Sequence, residues 1–213
     1  MTSTIAVLGT GNVGSVLAGA LARAGHAVTA GSRDPARRAA TWTVPVPLTG
    51  LAEAAEYADV VVNATPGHES VRLLSPLAPQ LAGAVLVDVA NAVEQGPDGF
   101  ATALRYPGSS LAEELQRALP DTRVVKTLNT IGPAEAMVTP AALTIPPSAF
   151  LSGDDDTAKA TVAALLGDLG WHRDQILDLG GLDTAGVTEA FVLLVRPLVR
   201  ALGPAPFALT VAH

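Results

Sequence analysis

Short apolar runs alternate with helix-patterned stretches along the first 130 residues. Residues 5–8, Ile-Ala-Val-Leu, form an apolar run that ends in glycine. Residues 12–24 then carry a helical pattern that stops at Gly25, a natural left-handed helix end. A second strand is expected over 26–30 and a short helix over 51–57. Residues 59–64, Asp-Val-Val-Val-Asn-Ala, predict a strand covered on both faces, because a continuous valine run suits the interior of a parallel sheet. Thr65, Pro66 and Gly67 break that run. A helix over 69–81, a strand over 84–89, a helix over 110–119 and a strand over 123–128 follow.

Regular alternation of strand and helix is the signature of a parallel sheet with right-handed crossovers, so the pattern predicts an α/β, Rossmann-type doubly wound sheet. Beyond it the spacing gives a strand over 149–152, a helix over 155–169, a strand over 175–179 and a long apolar helix over 188–202. Pro140, Pro146 and Pro147 punctuate the join. The expected organisation is a nucleotide-binding domain over 1–145 and a small C-terminal α/β extension over 146–213, which would serve the substrate and dimerisation. The last helix, with Phe191, Leu194, Val195, Leu198 and Leu202 backed by Val192, Leu193 and Val199, is apolar nearly all round. Such a helix must be buried, by its own sheet or by a second subunit, and a homodimer is expected.

Composition narrows the function. The 213 residues carry a formal net charge of -7, with no basic stripe to track a nucleic-acid backbone, so no polynucleotide partner is expected. There is no cysteine, which excludes disulfides and thiolate chemistry and suits a reducing cytoplasm. Hydrophobic residues make up 49% of the chain, yet no uninterrupted run approaches the length of about 20 that a membrane helix needs. No metal site is expected either. Asp154, Asp155 and Asp156 sit where a helix begins and read as capping and favourable charge at a helix start.

Gly9, Thr10, Gly11, Asn12, Val13 and Gly14 match the G-x-G-x-x-G pattern after a strand and at the opening of a helix. In that setting glycines make the turn, admit a pyrophosphate to the backbone and pack helix on strand. The carboxylate that often receives the ribose hydroxyls of NAD is replaced at the tip of the second strand by Gly31-Ser32-Arg33. A serine can donate to a 2′-phosphate and an arginine fork can hold its oxygens, so the stretch favours NADP over NAD. Arg37 and Arg38 would add positive charge. The alternative is a set of solvated loop arginines, with Arg33 paired only to Asp34.

With these residues in view, the chain resembles the NADPH-dependent deazaflavin (coenzyme F420) oxidoreductases. The likeness rests on residues 9–35, on Val-Val-Asn-Ala-Thr-Pro-Gly at 61–67, on Val-Leu-Val-Asp-Val-Ala-Asn at 85–91, on the segment 124–140 with its Lys-Thr-Leu-Asn-Thr, and on 177–191. It implies NADP contacts at Thr10, Asn12, Val13, Ser32 and Arg33, and places Ala64, Thr65, Pro66 and Gly67 beside the nicotinamide half, with Ala90 and Asn91 completing the cofactor set. It places a second cofactor or substrate near 129–132 and implies hydride transfer between NADPH and a planar acceptor such as coenzyme F420 or a flavin. Gly186, where much of the family carries arginine, and Pro197 in the last helix depart from the family pattern. Two other readings stay open: an NADPH-dependent reductase of a small imine or activated alkene, and a non-catalytic protein that senses NADP.

Hydride transfer needs alignment and exclusion of water more than an acid/base pair. The catalytic candidates are therefore positioning or proton-delivering groups. His68 is either a proton donor to substrate or a solvent-facing histidine at a helix start. Asn129, like Asn91, either binds ring or carboxamide oxygens or stabilises a turn. Lys126 either meets an anionic substrate or snorkels along the sheet edge, and Asp88 is expected to hydrogen-bond a neighbouring loop.

Overall fold

The computed structural model describes residues 2–132, 134–203 and 205–212. The chain runs β1 (Thr4–Leu8), α1 (Asn12–Arg23), β2 (Ala27–Ser32), α2 (Pro35–Ala39), β3 (Leu48–Gly50), α3 (Leu51–Ala55), β4 (Val60–Asn63), α4 (Gly67–Leu74), α5 (Ala78–Leu81) and β5 (Val85–Asp88). It continues through β6 (Val93–Gln95), β7 (Ala101–Leu104), α6 (Leu111–Ala118), β8 (Arg123–Lys126), α7 (Ala134–Val138), β9 (Ala149–Leu151), α8 (Asp156–Asp168), β10 (Ile176–Asp178), α9 (Ala185–Ala190) and α10 (Val192–Leu202).

Six strands form one parallel sheet in the order β3-β2-β1-β4-β5-β8, the doubly wound arrangement the alternation predicts. The period of two along each strand divides its side chains between two apolar layers. Ile5 and Val7 of β1 face one layer with Leu17, Leu21, Val162 and Leu166 from α1 and α8. Ala6 and Leu8 face the other, with Leu74, Leu81, Leu111 and Leu115 from α4, α5 and α6. The chain leaves β1 toward β2 and β3 on one side and takes up β4 on the other, so the strand order reverses between β1 and β4. Ligands of open α/β sheets collect at the carboxyl ends of the strands at such a point.

Several elements differ from the sequence expectation for identifiable reasons. The helix expected over 69–81 is divided into α4, a 3-10 turn at Ser75–Leu77 and α5, because Pro76 and Pro79 each lack an N–H and each open a new turn. The helix expected over 188–202 breaks at Phe191 into α9 and α10, while Pro197 lies inside α10 without ending it. Five short elements, α2, β3, α7 and the two strands of the antiparallel hairpin β6–β7, carry no clear periodicity; the strands are held by pairing with their neighbours and α2 by its Asp34 cap.

The C-terminal extension is fastened to the sheet. β9 pairs in parallel with β10, and an antiparallel bridge joins Ser152 to Lys126 at the end of β8. Leu151 of β9 and Val162, Leu165 and Leu166 of α8 lie in the same apolar layer as β1. A second bridge, Ile131 with Ala208, ties the segment after α10 to the loop after β8. α10 lies on β7, and its Arg196 meets Asp98, in the turn between β6 and β7, at 2.6 Å. None of its residues is buried in the single chain, and Leu194 and Leu202 are 47% and 62% exposed. The chain's own fold therefore does not supply the burial that an all-round apolar helix requires. Among the described residues, no helix is long and apolar enough to cross a membrane.

Candidate functional site

At the strand-order reversal lies a cleft of about 750 Å³, lined by the loop after β1, the tip of β2, α2 and the turn after β4. Of the residues expected to bind cofactor, Gly9, Thr10, Gly11, Asn12, Val13, Ser32, Arg33, Arg37, Ala64, Thr65 and Pro66 face it. Gly14, Gly67, Ala90, Asn91, His68 and Asn129 are not among the lining residues. Gly31, Asp34 and Arg38 also line it, and Thr41, Leu51 and Leu73, which the sequence reading did not assign to the site, complete the wall.

The three loop glycines answer to different constraints. Gly9 has φ +110°, and a side chain there would meet the Ala64 carbonyl oxygen at 2.3 Å, so the loops after β1 and β4 touch through it. At Gly14 a Cβ would lie 1.9 Å from the Gly9 carbonyl oxygen, which ties α1 to its own loop. Gly11 has an ordinary φ of -74°, and a Cβ there would meet no protein atom within 4 Å. The fold does not need a glycine at Gly11, and the open cradle lies at the start of α1, where no side chain caps the helix and no acid sits in the first turn. Its first N–H groups lack intrahelical partners and face the cleft mouth, which suits the pyrophosphate of a dinucleotide.

At the other end of the cleft the positive charge is concentrated. Ser32 is buried, and its Oγ accepts the Asp34 N–H at 3.3 Å, which leaves its own proton to donate. The Asp34 carboxylate is taken by the Arg37 N–H at 3.0 Å as the cap of α2. Arg33 reaches Glu69 of α4 at 3.7 Å rather than Asp34. Glu69 is also bonded to Arg72, whose guanidinium holds the Glu69 carboxyl below the usual carboxylate range. Arg38 lies 5.4 Å from the Trp42 ring centroid and donates to Thr41 Oγ1 at 2.6 Å, while its buried Nε has no partner. Arg33, Arg37 and Arg38 thus surround one end of the cleft, where a phosphate monoester would be held by charge-assisted bonds.

Beneath the turn after β4 runs a polar ladder of which the sequence reading anticipated only Asp88, expected to hydrogen-bond a neighbouring loop and found accepting the Ala90 N–H at 3.2 Å. Leu8, Asn63, Asp88 and Lys126 are register partners across β1, β4, β5 and β8, at the last sheet position before the site. Asn63 Oδ1 accepts from Thr65 N at 3.2 Å and from Thr65 Oγ1 at 2.6 Å, and Asn63 Nδ2 donates to Asp88 Oδ1 at 2.8 Å. Lys126 Nζ donates to Asp88 Oδ2 at 2.6 Å, to the Ala90 carbonyl at 2.6 Å and to Glu189 Oε1 at 2.7 Å. Glu189, from α9, in turn accepts the N–H groups of Leu111 at 3.0 Å and Ala112 at 3.4 Å at the start of α6. Lys126 is 1% exposed, so it neither meets a substrate nor snorkels, and both sequence-based readings of it are corrected. Burial works to lower the Lys126 pKa, but Asp88 and Glu189 outweigh it and hold the ammonium above its ordinary value. Burial pushes the Glu189 carboxyl up, Lys126 works against that, and the Asp88 charge adds to it.

The two loops that flank this ladder are bound to one another. Leu128 turns the chain after β8 with φ 60°, in the left-handed region few residues other than glycine adopt. Asn129 Nδ2 then donates to Asn91 Oδ1 at 3.0 Å and to Thr188 Oγ1 at 3.3 Å, while Asn91 Nδ2 donates to the Asn129 carbonyl at 2.9 Å. Both amides are engaged with each other. Gly67 packs against the same loop, where a side chain would meet the Asn91 carbonyl at 2.1 Å. His68 stands exposed on the outer side of α4. Asp155 caps α8 through the Ala158 N–H at 2.6 Å, Asp154 accepts the Leu182 N–H at 2.8 Å and Asp156 pairs with Lys159.

Comparison with known proteins agrees with this geometry. Residues 4–92 match the family described as NADP oxidoreductase, coenzyme F420-dependent. The crystal structure of a candidate F420-dependent NADP reductase from Arthrobacter sp. FB24 is 41% identical, with a TM-score of 0.92 over 99% of this chain and 100% of that one. Among curated proteins, the metalloreductase STEAP3 of Rattus norvegicus is 32% identical over 91% of this chain and 37% of its own length. The glycerol-3-phosphate dehydrogenase [NAD(P)+] of Azorhizobium caulinodans is 30% identical over 93% of this chain and 61% of its own length. The chain thus spans less than two thirds of these two curated relatives.

Two substitutions separate fold from binding. Gly11→Ala is expected to change unfolding free energy by less than about 0.5 kcal/mol while lowering NADP affinity at least about tenfold, or about 1.4 kcal/mol. Gly14→Ala should destabilise the fold by about 1–3 kcal/mol. Urea unfolding and calorimetric titration read both. Lys126→Met strands two buried carboxylates and should cost about 3–5 kcal/mol. Because the folded ammonium's pKa is raised, its contribution is complete below about pH 10.4 and is lost as pH rises through the raised value. The stability gap between the two proteins should hold from neutral pH to that point and then narrow.

Proposed function

The chain belongs to the coenzyme F420-dependent NADP oxidoreductase family, and on that footing we propose that it moves hydride between NADPH and coenzyme F420 or a flavin-like ring in the cytoplasm. The observation that carries the acceptor is the match, over nearly the full length of both chains, to the Arthrobacter protein named for F420-dependent NADP reduction. The cleft adds independent support for the nucleotide. When bound, NADPH supplies a hydride from its dihydronicotinamide ring, and the acceptor ring takes it up together with a proton from solvent.

The residues of the chain bind and align. The cradle at Gly11 and the open N–H groups of α1 hold the pyrophosphate, the Ser32 hydroxyl and the Arg33 fork hold the 2′-phosphate, and Arg37 adds charge beside them. Ala64, Thr65 and Pro66 bound the nicotinamide half, with Gly67, Ala90 and Asn91 behind them. Asn129 serves the acceptor side through the loop it fixes to Asn91, and His68 stands at the start of α4 as a proton source open to solvent. α10 presents Leu194 and Leu202 to a second copy, which would give the apolar helix the cover its own chain lacks.

Mixing the protein with NADPH and oxidised deazaflavin, followed by absorbance, is expected to show turnover. Turnover with imines or activated alkenes alone would transfer the assignment to small-molecule reduction, and cofactor binding without turnover on any acceptor would make the protein a sensor. Arg33→Ala should weaken NADP binding by about 1.5–3 kcal/mol and leave NAD binding nearly unchanged; equal losses for both would remove the 2′-phosphate assignment. Sedimentation at micromolar concentration should give a dimer, and a monomer there would overturn the α10 interface.

A further inference from the structure

The turn that bounds the nicotinamide half rests on charge. Thr65 is bonded to Asn63, Asn63 to Asp88, and Lys126 joins Asp88 to the carbonyl of Ala90. Asp88 and Lys126 alone form a neutral pair inside the sheet. Glu189 is brought to the same ammonium from α9, outside the sheet, and gives the set two carboxylates against one ammonium. Burial and the Asp88 charge push its carboxyl up, and three N–H donors, from Lys126, Leu111 and Ala112, converge on its oxygens and work in favour of the ionised form. All three ionisable side chains are buried, so water screens little of the surplus charge, and the start of α6 offsets only part of it.

Asp88 and the Ala90 carbonyl take two of the three Lys126 protons, and a neutral acceptor would have satisfied the third. The extra carboxylate is therefore a charge that packing does not demand. The two forms of a nicotinamide cofactor differ at the ring: the oxidised ring is cationic and the reduced ring is neutral. A fixed negative charge beneath the ring's binding turn acts on one form and not on the other.

We propose that Glu189 is a positioning residue that biases the bound cofactor toward its oxidised, cationic form by making the platform beneath Thr65 and Ala90 net negative. This rests on the assignment of the cleft to NADP. Tighter binding of the oxidised form lowers the potential of the bound couple, so the reduced cofactor becomes a stronger hydride donor while it is held. The consequence is thermodynamic and requires no contact between Glu189 and the ring.

The test compares dissociation constants for NADP⁺ and NADPH in the wild type, E189Q, E189D and D88N by calorimetry. E189Q removes the surplus charge with little change of shape and should weaken NADP⁺ about threefold to tenfold relative to NADPH; tenfold corresponds to about 30 mV for a two-electron couple. E189D keeps the charge and should keep the wild-type ratio even where packing loosens. D88N removes one negative charge from the same platform and should move the ratio in the same direction, which covers the case that E189Q does not fold. Equal losses for both cofactor forms in the charge-removing variants, or a shift in E189D as large as in E189Q, would overturn the proposal. A wild type that binds neither form would instead remove the cofactor assignment on which it rests.

Discussion

One buried ammonium organises the carboxyl edge of this sheet. Lys126 gathers the end of β5, the loop after it and α9 onto a single atom, and through Asp88 and Asn63 the arrangement reaches the turn after β4. A lysine at 1% exposure is tolerable only because each of its donors has an acceptor, and those acceptors come from parts of the chain far apart in sequence. The same bonds that pay its desolvation also define the shape of the floor on which a nicotinamide would rest.

The two ends of the cleft are built on different physics. The end proposed for the pyrophosphate uses backbone: a glycine whose missing side chain leaves room, and helix N–H groups with no intrahelical partner. The ribose end uses side chains, with Arg33, Arg37 and Arg38 around a buried serine. Asp34 also lines that end, with its carboxylate engaged by the Arg37 N–H as the cap of α2. In the proposed binding mode, backbone contacts would fix the position of a dinucleotide and the side-chain end would decide which dinucleotide is accepted.

What the sequence made legible follows from how local each feature is. The loop after β1 and the tip of β2 rest on short-range pattern and were readable from residues 5–35, and the alternation that follows made the parallel doubly wound class readable, though not its strand order. The division of the helix expected over 69–81 was also encoded locally, in Pro76 and Pro79, and the apolar periodicity masked it. Leu51 and Leu73 lie on helices that the periodicity predicts, but periodicity marks an apolar face and not which of its residues borders a cleft, and Thr41 lies in a segment without pattern. Lys126 was misread for a deeper reason: its neighbours in sequence are strand residues, while the groups that neutralise it, Asp88 and Glu189, arrive by tertiary packing. The mutual bonding of Asn91 and Asn129 is hidden in the same way.

The span between Lys126 and Glu189 also bears on how the chain reaches its native state. Contacts between distant segments form only after the intervening loop has been closed. Until α9 docks, the ammonium has Asp88 and the Ala90 carbonyl but lacks its third acceptor, and water must fill that place. The dryness of the sheet edge therefore depends on the docking of α9, a contact far more distant in sequence than the packing of α1 on β1.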